Sequence, residues 1–194
     1  MIRTVAGTIN LHEQSRPWYW ARQVGLVVGA SFFVALCARV TVPLPFTPVP
    51  LTMQNFGVLV VGLLLGSRRG AAALALYVAE GVIGLPVFSI AGQSGLAQFI
   101  GPSGGFLMAY PFTAWAAGYV FERSRRTFAS AALASSIAEL VLFAGGLSWL
   151  LILTHSVAIA VRFGLHAFIF GEVIKVMLAS AIATRWRRPA RTEA

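Results

Sequence analysis

Apolar residues along this chain fall into six blocks, separated by short connectors that are polar or rich in proline and glycine. The blocks run Trp20 to Val40, Thr52 to Leu65, Gly70 to Phe88, Gly104 to Phe121, Phe128 to about Leu153, and Phe168 to Thr184. The last follows a less regular entry through Val157 to His166. A membrane-spanning helix needs about 20 mainly apolar residues, so the pattern predicts an all-α membrane protein, a bundle of six transmembrane helices. The second block is short for a full span and is expected to tilt, with its ends buried in protein. No internal repeat and no low-complexity tract interrupts the series.

Composition agrees with that reading. Of 194 residues, 58% are hydrophobic and 11% charged, with a mean hydropathy of +0.79, whereas soluble domains carry about a quarter charged residues. The length suits a single domain over residues 1–194, with a polar N-terminal tail (1–19) and a basic C-terminal tail (186–194). The tail lacks the basic-then-apolar order of a secretory signal. Fifteen basic residues against six acidic ones give a net charge of +9. A nucleic-acid partner is nevertheless disfavoured, because the arginines sit in short connectors rather than on a soluble domain. A lipid bilayer explains them better.

The arginines also set an orientation. Arg16 and Arg22 precede the first block, Arg68 and Arg69 join the second to the third, and Arg123, Arg125 and Arg126 join the fourth to the fifth. Arg185, Arg187, Arg188 and Arg191 follow the sixth. With six spans these positions share one face, and the positive-inside rule then makes both termini cytoplasmic. The expected location is the cytoplasmic (inner) membrane, crossed several times.

Two connectors on the opposite, outer face stand apart. Val42-Pro43-Leu44-Pro45-Phe46-Thr47-Pro48-Val49-Pro50 carries four prolines in eight residues, which excludes helix and favours a stiff extended path. Its apolar side chains want a surface to cover, so it is either a rigid connector or a lid over an outward-facing pocket. Ser89 to Ser103 is rich in glycine, which permits close backbone approach for packing or for ligand contact. No P-loop lysine follows it.

The chemistry-bearing residues are few. Glu172 and Lys175 lie three apart in an otherwise apolar block and so share a helix face, although each charge costs roughly 3 kcal/mol or more near a bilayer centre. Either they satisfy each other or they await a polar ligand. Glu80 and Glu139 lie inside the third and fifth blocks, where a buried hydrogen bond to a neighbouring helix is the expected role. Tyr77, one turn from Glu80, is an available donor. Cys37 reads as a small apolar filler. There is no Walker motif, no HExxH and no aspartate, so ATP hydrolysis, a metal site and a Ser-His-Asp triad are all unsupported. In the first block, Gly25 and Gly29, with Ala30 beside them, form a small-residue face that lets another helix approach closely. Six helices without a repeat are also few for a self-sufficient pump, which favours a solute-binding subunit energised by others.

Three stretches carry a family resemblance. They are Val42 to Gln54, Gly84-Leu85-Pro86-Val87-Phe88 with Gly101-Pro102-Ser103-Gly104-Gly105, and Gly171-Glu172-Val173-Ile174-Lys175. In combination they resemble the signatures of the BioY family, the biotin-binding membrane subunits (S components) of energy-coupling factor transporters. The match runs from about Val24 to Ala183. The resemblance implies a six-helix S-component fold, biotin bound near the outer side under the first loop, no cofactor and no catalysis. It implies a transmembrane coupling protein and two ABC ATPase subunits as partners. By the same resemblance, Glu172 and Lys175 hydrogen-bond biotin, and counting back from Gly101-Pro102 places a ligating loop amide on Gln93. Pro45, Phe46 and Tyr77 complete the candidate ligand-binding set, and Gly25, Gly29 and Ala30 form the candidate partner interface. Glu172 stands where aspartate is common in the family, and Phe170 where proline is. A different small vitamin on the same architecture is the alternative reading, followed by a membrane-embedded enzyme acting on a lipid.

Overall fold

The structure is a computed structural model that describes residues 15–91, 95–166 and 168–186, with residues 15–17 as backbone alone. Among the described residues there are six helices of twelve residues or more, at the positions of the six apolar blocks. They are α1 (Ser15–Arg39), α2 (Gln54–Leu65), α3 (Ser67–Val82), α5 (Gly104–Glu122), α6 (Phe128–Thr154) and α8 (Ile169–Trp186). Two five-residue helices, α4 (Leu96–Ile100) and α7 (Val157–Val161), and a π-helical turn (Arg162–His166) lie in the connectors between α3 and α5 and between α6 and α8. By length and hydropathy, Trp18–Arg39 and Phe128–Thr154 each suffice to cross a membrane. The pair Val157–His166 and Ile169–Trp186, bent by 42°, does so if taken together. At 12 and 16 residues, α2 and α3 are too short to qualify alone.

Several boundaries depart from the sequence reading for identifiable reasons. Helix α1 begins at Ser15, inside the stretch expected to be a tail, because Pro17 is tolerated in a first helical turn. Trp18, Tyr19 and Trp20 follow, all exposed, as suits residues at a membrane–water interface. Helix α3 stops at Val82, six residues short of the expected Phe88. The cause is Gly84, whose φ is +99°. The Gly84 N–H donates to Gly81 O at 3.1 Å and the Leu85 N–H to Glu80 O at 3.0 Å, the paired bonds that close a helix through a left-handed glycine.

The proline-rich connector is not merely extended. Its two ends pair as a short antiparallel hairpin, β1 (Thr41–Val42) with β2 (Leu51–Thr52), in the register Thr41 to Thr52 and Val42 to Leu51. The loop between them lies against protein. The Thr47 hydroxyl donates to Phe163 O at 3.0 Å in the π turn. Val49 is buried with Leu150, Ala160 and Phe168 in a small apolar cluster.

Two larger clusters hold the bundle. One joins α1, α2, α3, α5 and α6 around Val34, Leu74, Tyr77 and Leu107; the other joins α2, α5, α6 and α8 around Leu59, Phe121 and a run of buried alanines. Small residues let α5 and α6 approach closely. A Cβ on Gly105 would sit 2.2 Å from the Trp149 Cβ and 2.6 Å from Gly145 O.

Candidate functional site

Helix α8 buries one stripe, Glu172, Lys175, Val176, Ala179, Ser180 and Ala183. It leaves Phe170, Val173, Ile174 and Met177 exposed on the other side. The charged pair therefore faces the bundle interior, and the exposed residues beside it on α8 are apolar. Lys175, the chain's single lysine, donates from Nζ to Glu172 Oε1 at 2.7 Å. Both residues are less than a tenth exposed.

The pair belongs to a larger polar network. Asn55, at the start of α2, donates from Nδ2 to Glu172 Oε2 at 2.5 Å and to Glu139 Oε1 at 2.6 Å. Carboxylates only accept, so the amide nitrogen must face them. The Asn55 carbonyl oxygen is thereby turned away, and Oδ1 is buried without a partner among the described residues. The first turns of α2 and α8 and the middle of α6 are thus joined through a single amide.

That network borders a cavity. Val49, Pro50 and Thr52 of the proline-rich loop and β2 wall one side, and Gln54 and Asn55 come from α2. Gln98 of α4, Ser103, and Phe106, Leu107 and Tyr110 of α5 form another wall. Leu142 and Phe143 of α6, Phe168, and the Glu172–Lys175 pair complete it. Gln98 is buried, and its Oε1 is also without a partner among the described residues. The cavity is therefore aromatic and aliphatic along most of its wall. Its polar lining includes Thr52, Gln54, Ser103 and Glu172 and, among the described residues, two unpartnered amide oxygens and an ammonium whose one hydrogen bond goes to Glu172. Such a surface suits a ligand with an apolar body and a head that both donates and accepts hydrogen bonds.

The other candidate residues lie elsewhere. Pro45 and Phe46 are exposed and off the cavity wall; their neighbours Val49 and Pro50 take that place. Tyr77 is fully buried one layer behind the wall. It accepts from Gln54 Nε2 at 2.5 Å and donates to Val87 O at 3.0 Å, and so orients Gln54 instead of facing the cavity. Glu80 does not use Tyr77 as a donor. Its partner is Ser31 of α1, whose hydroxyl donates to Oε2 at 2.5 Å, because the Tyr77 hydroxyl is already committed on both sides. Gln93 lies outside the described residues. Gly25 and Gly29 line an open apolar groove between α1, α2 and α8, with Ala30 at its base.

Asn55, Gln98 and Tyr110 are absent from the sequence-derived set, and Glu139 enters it only as a buried hydrogen-bonding group. The one signal was Gln54-Asn55 standing side by side in an apolar block.

The BioY family model matches residues 8–192. The chain belongs to the BioY family. Among its relatives are the biotin transporter BioY of Rhizobium etli, 37% identical over 79% of this chain and 86% of that one. The biotin transporter BioY of Thermotoga maritima is 34% identical over 84% and 95% respectively. A crystal structure described as the S-component for biotin from an ECF-type ABC transporter superposes with a TM-score of 0.79 at 26% identity, covering 89% of this chain and 94% of that one. Within this BioY chain, the three stretches that carried the resemblance surround the cavity. The first supplies Val49, Pro50, Thr52 and Gln54, the second Ser103, and the third Glu172 and Lys175.

Proposed function

We propose that this BioY chain is the biotin-binding membrane subunit of an uptake system. In this reading it captures biotin from outside, in the cavity beneath the proline-rich loop. The observation that carries the proposal is the presence of unsatisfied polar atoms, acceptors and donors together, on residues that line a cavity with a large apolar wall. Among the described residues Asn55 Oδ1 and Gln98 Oε1 lack donors, and Lys175 has N–H groups to spare. The ureido ring of biotin offers two N–H donors and one carbonyl acceptor, which complements this set. The apolar thiophane ring and side chain suit the wall of Phe106, Leu142, Phe143 and Phe168.

In mechanism, Glu172 holds the Lys175 ammonium in place, and Asn55 fixes Glu172 from the opposite side. A ligand that enters therefore meets preset polar groups and loses little to their ordering. Capture is binding, not turnover, so no covalent step is needed. The arginine-rich connectors support a six-span chain in the cytoplasmic membrane with both termini inside. Movement across the membrane then falls to partners, a transmembrane coupling protein and two ABC ATPase subunits, which meet this chain at the Gly25–Gly29–Ala30 groove.

The decisive experiment is binding of labelled biotin to the purified chain with no other subunit present. Saturable one-to-one binding is expected. Glu172→Gln and Lys175→Met should each weaken it about 10- to 100-fold, the loss of one charge-assisted hydrogen bond. Unchanged affinity in both variants removes these residues from the site. In a thermal-shift panel of vitamins, biotin alone should stabilise strongly, because only the true ligand binds the folded state tightly. A larger shift from another vitamin overturns the choice of ligand.

A further inference from the structure

At the ends of α2 and α5 remote from the cavity, two short connectors meet. Arg68 and Arg69 stand in the first turn of α3, and Arg123 and Arg126 lie in the link from α5 to α6. With Trp115 and Tyr119 they line a broad depression of about 1150 Å³, counted out to its open side.

Three features separate this depression from an ordinary solvated charge cluster. First, its single acid is already in use. Glu122 accepts from the Ser67 N–H at 3.0 Å and from the Ser67 hydroxyl at 2.8 Å, so both oxygens satisfy the start of α3. Among the described residues the only ion pair is Glu172 with Lys175, and the four guanidinium groups have no carboxylate partner. Second, one of the arginines, Arg123, is braced by aromatic rings. Arg123 sits 3.5 Å over the Tyr119 ring, and Tyr119 stacks on Trp115 at 4.8 Å. Such half-exposed rings favour the headgroup level of a bilayer. Third, the two connectors are held in register. A Cβ on Gly118 would lie 2.3 Å from Ser67 N, so α5 and the start of α3 are in direct backbone contact.

We propose that this depression binds the phosphodiester headgroup of an anionic phospholipid. Guanidinium groups match phosphate oxygens with paired donors. The rings set those donors at headgroup depth, and the cytoplasmic leaflet supplies the anionic lipid. The claim is independent of what the outward cavity holds.

The test uses the full chain, purified and delipidated, with phosphatidylglycerol or phosphatidylcholine titrated at equal concentration and the adducts counted by native mass spectrometry. Phosphatidylglycerol should be retained about tenfold better. The pair Arg68→Gln/Arg123→Gln should lose that preference while keeping the melting temperature. The pair Arg22→Gln/Arg185→Gln removes the same charge outside the depression and should keep the preference. If the first pair fails to fold, Arg69→Gln/Arg126→Gln carries the same expectation. Equal retention of the two lipids overturns the proposal, as does equal loss in the control pair. Glycerophosphate or inorganic phosphate that displaces the lipid at comparable concentration also overturns it, in favour of a soluble anion.

Discussion

Glu139 and Glu172 can face each other across Asn55 because its amide nitrogen offers one proton to each. Asn55→Asp would place a third acceptor between two others, leaving Glu139 without its donor and Glu172 with Lys175 alone. Breaking a buried charged network in this way costs about 3 kcal/mol or more, so this variant should show a large loss of thermal stability in detergent and no measurable biotin binding. Glu139→Gln is a milder change. Its amide oxygen can still accept from Asn55, and Glu139 Oε2 has no partner to lose among the described residues. Its stability should stay within about 1 kcal/mol of the parent. Gln98 separates ligand binding from folding more cleanly. Because Oε1 is unpartnered among the described residues, Gln98→Leu gives up no hydrogen bond to them through that atom. It should fold as the parent does and lose about tenfold in biotin affinity, measured by equilibrium binding.

At the scale of elements, the proline-rich loop is held at three points. These are the hairpin at its base, the buried Val49, and the bond from Thr47 to Phe163 O. Thr47→Val keeps the shape of the side chain and removes the tie to the π turn. The loop should then open more often, and bound biotin should dissociate several-fold faster in a chase with unlabelled biotin, most of the affinity change appearing in the off-rate. The six long helices were legible in the sequence because apolar block length is a strong local signal, and the Gly84 and Pro86 punctuation was visible even though its effect on α3 was not. The hairpin was hidden because two-residue strands among four prolines leave no periodic trace. The site was legible only where it is local. Glu172 and Lys175 share a helix face by spacing alone. Asn55, Glu139 and Gln98 meet them across 117, 33 and 74 residues of sequence, and that meeting depends on how each helix is rotated. Tyr77 was misplaced for the same reason: its spacing to Glu80 was correct, but the ring turns toward α2 and Gln54.

At the scale of the whole molecule, binding and coupling are proposed to occupy different faces, and this separation is itself testable. The cavity is enclosed by α2, α4, α5, α6, α8 and the proline-rich loop, while α1 packs on α2 and α3 and supplies none of the lining residues. On the outward side of α1, Gly25 and Gly29 are exposed, and a Cβ at either position would meet nothing within 4 Å. Leucine at these positions should therefore be accepted without strain, and an exposed glycine inside a helix costs about 1 kcal/mol relative to a better helix former. Gly25→Leu and Gly29→Leu should leave the melting temperature unchanged or raised and should leave biotin affinity intact. Bulk in the groove does, however, block the close approach that small residues permit. Co-purification with the coupling protein and ATPases should fall at least about tenfold if those partners seat there, with biotin uptake by reconstituted vesicles falling alongside it. If uptake and co-purification survive both substitutions, the coupling surface lies elsewhere. If biotin binding is lost instead, the two faces are not independent, and α1 acts on the cavity through α2.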